Sequence, residues 1–205
     1  TNIDAIEAGL KVHRGKALIN SISARPERIE ALMPLAKRYD AGFIGLMLGT
    51  DGIPRDANER GFLAAQIMAE AANCGIPEED IWLDPIVLPI NSQQIQVQGC
   101  TEFVMMLTEL APNSKSTCGL SNVSNGCPAH LRGILNRTYL VMIKRYGMYS
   151  AIVDAFDAEL REIARGNRPD IESLIFRVMD GESIDMSALS REEADYVKTA
   201  KILLG

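Results

Sequence analysis

Three polar side chains interrupt apolar surroundings in a way that could do chemistry. Asn20 lies in the apolar run 17–22, Asp84 in the run 81–89, and Asn122 in the polar stretch Gly119-Leu120-Ser121-Asn122-Val123-Ser124-Asn125-Gly126, which follows a short run at 115–118. A carboxylate and two amides are poor nucleophiles but good readers of a flat heterocycle. A carboxylate accepts from paired N–H groups, and an amide meets a neighbouring N–H and C=O together. Each residue also has a plainer role open to it. Asp84, before Pro85, could be a turn aspartate, although an unpaired carboxylate in apolar company costs several kcal/mol or shifts its pKa until it is neutral. Asn20 could satisfy nearby backbone groups, and 119–126 could be no more than a polar turn. Ser121, Asn125 and Arg132, at the start of the next helix, complete the candidate set.

Elements that could position these residues can be read from periodicity and punctuation. Ile3, Ile6 and Leu10 mark a helix ending near Gly15. The apolar run 17–22 suits a buried parallel strand, expected to end at Asn20-Ser21. Pro26 sits at a first helical position, with Ile29, Leu32, Leu35 and Ala36 as the apolar face. A second strand spans 41–48. Asp56 with Glu59 resembles a capping box that opens a helix through Phe62, Ala65, Ile67 and Met68 to Asn73, and Gly75-Ile76-Pro77 stops it. A third strand over 81–89 and a helix over 93–110 follow. Next come a strand at 115–118, a helix over 131–146, a fifth strand at 150–154 and a helix over 157–164. Asp170 is expected to cap a helix carrying Ile171, Leu174, Ile175 and Val178. Ser190 with Glu193 forms a capping box for a last helix ending at Leu204.

Strands alternating with helices at this spacing imply an α/β fold with a parallel sheet. An open doubly wound sheet would want a G-x-G-x-x-G turn, which the chain lacks. Five strands that begin on a helix fit a (β/α)8 TIM barrel lacking its first three strands, with the polar ends gathered at one mouth.

Composition narrows the function. The 205 residues suffice for one sizeable domain, and 47% hydrophobic with 23% charged residues is globular. A net charge of -6 argues against a nucleic-acid surface. No apolar run approaches the ~20 residues of a membrane helix, and no basic, apolar-cored leader opens the chain, so a cytoplasmic protein is expected. Cys74, Cys100, Cys118 and Cys127 include no C-x-x-C pair, which points to reduced thiols. With only His13 and His130, no metal site is expected.

LINS at 18–21, LDPIVLP at 83–89, GLSNVSNG at 119–126, ILNRTYL at 134–140 and AIVDAFD at 151–157 resemble, in order and spacing, the methyltetrahydrofolate:corrinoid protein methyltransferases. Those enzymes share a pterin-binding barrel with dihydropteroate synthase and with the folate module of cobalamin-dependent methionine synthase. The resemblance covers about residues 1–160. It implies that Asn20 and Asp84 hold the pterin ring, and that Asn122 hydrogen-bonds the N5 region of the folate and is the catalytic residue. Ser121 and Asn125 are further substrate-binding candidates. Arg132 would pair with the folate's glutamate tail or solvate its helix start. A further pterin aspartate of the family lies in a D-S-T-N motif, of which Thr1-Asn2 remains here. Residues 1–205 are then one barrel, with about 160–193 as an insertion.

The implied reaction moves a methyl group between N5 of tetrahydrofolate and the cobalt of a corrinoid (cobalamin). No D-x-H-x-x-G motif is present to carry the corrinoid in this chain, so a corrinoid protein is the implied partner, a corrinoid iron–sulfur protein among the candidates. A homodimer is implied by the resemblance alone. The alternatives are a dihydropteroate synthase-like enzyme, against which the acidic Asp154-Ala155-Phe156-Asp157 end counts, and a non-catalytic module that docks a corrinoid protein.

Overall fold

In a computed structural model, which describes residues 2–205, the chain packs as two compact units. The first comprises the residues up to Ile86 together with Met105–Thr117, and the second comprises Val87–Val104 and Cys118–Gly205. Thr1, with its share of the D-S-T-N remnant, lies outside the described residues.

The first unit is built on a parallel sheet of four strands in the order β1 (Leu18–Ser23), β2 (Gly42–Leu46), β3 (Ile81–Asp84) and β4 (Lys115–Ser116). Phe43, Ile44, Ile81 and Leu83 are buried in it, as expected of strands whose two faces are both covered. Helix α1 (Ile3–Val12) starts at Asn2, whose side chain accepts the Ala5 N–H. None of its residues is buried, so the expected apolar face of Ile3, Ile6 and Leu10 is not a core face. Helix α2 (Pro26–Arg38) has Pro26 in its first turn and buries Ile29, Leu32, Met33, Leu35 and Ala36, each large side chain contributing roughly 1.5–3 kcal/mol. Helix α3 (Ala57–Asn73) begins at Asp56, which accepts the Glu59 N–H. The return bond of the box goes to the Arg55 N–H instead of the cap's own. The buried stripe of α3 is also rotated from the one expected: Ala57, Arg60, Ala64, Ile67 and Ala71 face inward, while Phe62 is 72% exposed. Gly45 of β2 lets α3 come close, because a Cβ there would stand 3.0 Å from Ile67 Cγ2.

The strand expected at 115–118 is only Lys115–Ser116, and the strand expected at 81–89 and the one at 150–154 are corrected further. β3 stops at Asp84 instead of running to Pro89, because proline at 85 has no N–H for the ladder and Ile86 turns the chain at φ 61°. The segment 150–154 is no strand but a single parallel bridge, Gly119 with Ile152. Two backbone bonds hold it, Ile152 N–H to the Cys118 carbonyl at 2.8 Å and Leu120 N–H to the Ile152 carbonyl at 3.1 Å. The described sheet therefore has four strands.

The second unit is helical. Helix α4 (Ile90–Leu110) breaks regular geometry at Gln93 and gives its residues up to Val104 to this unit. Helix α5 (Ala129–Arg145) packs on α6 (Ala158–Ala164), α7 (Pro169–Met179) and α8 (Arg191–Leu204). The core joins Val97, Cys100, Tyr139, Ile143, Ile163, Ile175 and Val197. α7 buries the four expected residues, Ile171, Leu174, Ile175 and Val178. Its cap position, however, is Arg168, with Pro169 in the first turn, so Asp170 is not the cap. Asp170 instead receives the Arg168 guanidinium, which also reaches Glu159 and Glu192. Both bonds of the Ser190–Glu193 capping box are present. None of the four cysteines is joined in a disulfide. No helix among the described residues is long and apolar enough to cross a membrane.

Candidate functional site

Asn20 and Asp84 sit in the same sheet, on the two strands that flank β2. Asn20 is exposed and lies within β1, which continues to Ser23 instead of ending at Asn20-Ser21. The register slips between Asn20 and Ile22, and such irregularities re-aim side chains. Ser23 and Asp84 both register with Leu46 of β2, which puts Asp84 at the carboxyl end of the sheet.

Burial raises the Asp84 carboxyl from the ordinary 3.8 to about 6, even though the Ile86 N–H pulls it back by donating to Oδ1 at 2.8 Å. The turn reading of this residue holds. Oδ1 makes a turn bond, while Oδ2 accepts no hydrogen bond among the described residues. A half-desolvated carboxylate with one oxygen pinned and the other open is suited to paired N–H donors.

The turn is gripped from α3. The fully buried Arg60 donates from Nε to the Pro85 carbonyl at 3.0 Å and from Nη1 to the Asp56 carbonyl at 3.1 Å. Sequence reasoning missed Arg60. The signal was available in the 3–4 spacing of Ala57, Arg60, Ala64, Ile67 and Ala71, which places the arginine in the middle of an otherwise small, apolar stripe. The same unit holds a groove of about 590 Å³ between the segment 49–55 and α3, lined in part by Thr50, Asp51, Glu59 and Phe62. Neither Asn20 nor Asp84 lines it.

The second unit brings together the remaining candidates. Within the stretch 119–126, residues Leu120–Ser124 form a 3-10 turn that buries Leu120, Val123 and Ser124. Asn122 and Asn125 are exposed and Ser121 is half-buried. Ser124 Oγ donates to the Ser121 carbonyl at 3.1 Å and accepts from Arg132 Nε at 3.3 Å. Arg132 thus braces the turn from α5. Asn122 N–H donates to the Gly119 carbonyl at 3.2 Å, and the Asn122 carbonyl accepts from Asn125 N–H at 3.1 Å. A Cβ on Gly119 would stand 3.1 Å from Asn122 Nδ2, so the glycine leaves room for the carboxamide. No cluster of three or more His, Cys, Asp or Glu side chains that could hold a metal ion occurs among the described residues.

In each unit these amide and carboxyl groups can read hydrogen-bonding edges without supplying a nucleophile. The family described as pterin binding enzyme matches residues 1–154. The methylcorrinoid:tetrahydrofolate methyltransferase of Eubacterium limosum is 24% identical over 153 residues, covering 74% of this chain and 56% of that protein. The methionine synthase of Mycobacterium tuberculosis is 28% identical over 165 residues, covering 76% of this chain and 14% of that protein. The chain therefore spans about half the length of the first relative and a small part of the second. In architecture it is similar to the dihydropteroate synthase of Stenotrophomonas maltophilia, solved with imidazole in its active site. The TM-score is 0.60 and the identity 12%, with 82% of this chain and 66% of that one covered. The likeness gives it the α/β, TIM-barrel-type fold of that enzyme. With three quarters of its length matched by one family, the chain belongs to the pterin-binding enzymes.

Proposed function

We propose that residues 1–205 are a methyltransferase module that moves a methyl group between N5 of methyltetrahydrofolate and the cobalt of a corrinoid carried by a partner protein. The observation that carries this reading is Asp84, a carboxyl pinned through one oxygen and open at the other at the carboxyl end of a parallel sheet, in a chain of the pterin-binding family. The relatives named as a methylcorrinoid:tetrahydrofolate methyltransferase and as methionine synthase support it.

In this reading Asp84 accepts the paired N–H groups of the pterin ring and Asn20 offers its amide beside them. Asn122 meets N5, with Ser121 and Asn125 contributing polar groups nearby. The tertiary amine nitrogen N5 is a poor leaving group for its methyl carbon. As the methyl carbon departs, N5 keeps the electron pair of the broken C–N bond and must gain a proton or a strong hydrogen bond. The reduced corrinoid of the partner supplies the electron pair that takes the methyl carbon. The chain's own work is orientation and stabilisation of developing charge, and the Asn122 carboxamide, carried on a backbone held within the turn, is suited to both. Arg132 supports the turn from which Asn122 projects. Asp154 and Asp157, which are taken up by the Phe156 N–H and by Arg137 respectively, weigh against a diphosphate-displacing alternative.

The test is anaerobic spectroscopy of the chain with methyltetrahydrofolate and Co(I) cobalamin, for wild type and Asn122→Ala. Methylcobalamin should form with the wild type, and the variant should be slower by about 10–10³-fold, as for loss of one transition-state hydrogen bond. A folded wild type that neither binds methyltetrahydrofolate nor transfers its methyl group would reject the reading.

A further inference from the structure

The buried Arg60 has no part in the mechanism above, although burying a cation is costly unless its donors are well used. Its surroundings on α3 are Ala57, Ala64, Ile67 and Ala71, a stripe that an apolar side chain would complete at lower cost. What the guanidinium adds is direction, because its donors form a rigid planar fork. Through that fork it takes two carbonyls at once, that of Asp56 at the start of α3 and that of Pro85 just after β3.

The Pro85 carbonyl has a further property. It shares one planar peptide with the Ile86 N–H, so the carbonyl oxygen and the amide hydrogen point in opposite directions. A donor that fixes the oxygen also fixes the aim of the hydrogen, and this hydrogen lies on Asp84 Oδ1, with N···O at 2.8 Å. The turn needs such a hold. Ile86 is β-branched and sits at φ 61°, a conformation such residues avoid. A hydrogen bond at one end of a peptide also polarises the group at the other end.

We propose that Arg60 is a positioning residue which, through the Pro85–Ile86 peptide, aims the Ile86 N–H at Asp84 and so holds that carboxylate for the pterin. The link to the pterin rests on the reading of Asp84 given above. The link from Arg60 to the turn does not.

The experiment uses the full 205-residue chain as wild type, Arg60→Lys and Arg60→Gln. Backbone hydrogen exchange without ligand is the first readout. The Ile86 amide should lose protection by about fivefold or more, the equivalent of one hydrogen bond, while the amides of β2 keep theirs. Unchanged protection at Ile86 in both variants overturns the proposal. Equal loss at Ile86 and along β2 in both variants also overturns it, by making Arg60 a residue needed for folding.

The second readout is the Kd for methyltetrahydrofolate in a cycle of Arg60→Lys with Asp84→Asn. Arg60→Lys should weaken binding about tenfold in the wild-type background and add little once Asp84 is gone, the non-additivity expected of residues acting through one another. Effects that simply multiply overturn the proposal. Unchanged affinity in Asp84→Asn alone overturns the pterin reading instead, and the exchange result then judges Arg60's hold on the turn.

Discussion

Asp84 is the residue at which stability and binding pull in opposite directions. Its carboxyl titrates near 6 in the folded chain against an ordinary 3.8, so between those values the native state binds more protons than the unfolded one. The Asp84 contribution to stability therefore falls as pH rises from about 4 to about 6, and stays lower above that, by about 3 kcal/mol for a shift of this size. Asp84→Asn should remove that slope and leave the ligand-free chain more stable than wild type at pH 8, as read by urea unfolding. An equal stability there would mean that burial of the charge carries no cost. The pterin reading requires the opposite sign for binding. The charged form accepts the ring's N–H groups, so the Kd for methyltetrahydrofolate should rise by about tenfold per pH unit below about 6, a dependence lost in Asp84→Asn. Asp84 was legible in the sequence because a carboxylate among Leu83, Pro85 and Ile86 must either be paired or pay for its burial. Arg60 passed unread because an arginine between Glu59 and Gly61 looks like one more solvated charge until the helix face it shares is worked out.

At the scale of elements, punctuation was more legible than extent. Pro26, Asp56, Gly75 and the Ser190–Glu193 box mark real boundaries, because each acts through the backbone of its own few residues. The ends of β3 and the fate of 150–154 depend on pairing between distant segments, and composition alone does not record that. The 3-10 turn after β4 belongs to the same class. Its polar letters suggested a turn, but not that Leu120, Val123 and Ser124 face inward or that Arg132 reaches back to Ser124. This bracing makes Gly119 a sensitive position. Its φ of -78° is open to any residue, so Gly119→Ala brings no backbone strain. The new Cβ would, however, stand 3.1 Å from Asn122 Nδ2 and push the carboxamide aside by a few tenths of an ångström. Methyl transfer should fall by about tenfold, in line with the steep cost of sub-ångström misplacement, with no change in the melting temperature beyond the effect of one half-buried methyl group. Wild-type rates in a folded Gly119→Ala chain would show that the placement of Asn122 is not critical to the reaction.

The whole molecule is not divisible along its sequence. The chain passes between its two compact units after Ile86, after Val104 and after Thr117, so neither unit is one continuous run. A fragment ending at residue 86 would keep β1, β2 and β3 but lose β4, which pairs with β3 through Trp82–Lys115 and Leu83–Ser116. It would also lose the bonds from Asn113 to Glu78 and from the Lys115 ammonium to the Glu79 carbonyl. The outer edge of β3 would then present unpaired N–H and C=O groups beside apolar side chains, the arrangement that templates aggregation. Extending the fragment to residue 117 restores β4 but brings in 87–104 without the Tyr139, Val141 and Ile143 that share a core with Val97, Cys100 and Val104. Each such side chain left in water forfeits roughly 1.5–3 kcal/mol, against a typical total stability of only about 5–15 kcal/mol. Neither fragment should melt cooperatively as a monomer, whereas the 205-residue chain should, as measured by circular dichroism and size-exclusion chromatography. A monomeric, cooperatively melting 1–86 fragment would show that β4 is dispensable to the sheet. Asp84 could then be studied for pterin binding in that fragment, without the segment that carries Asn122.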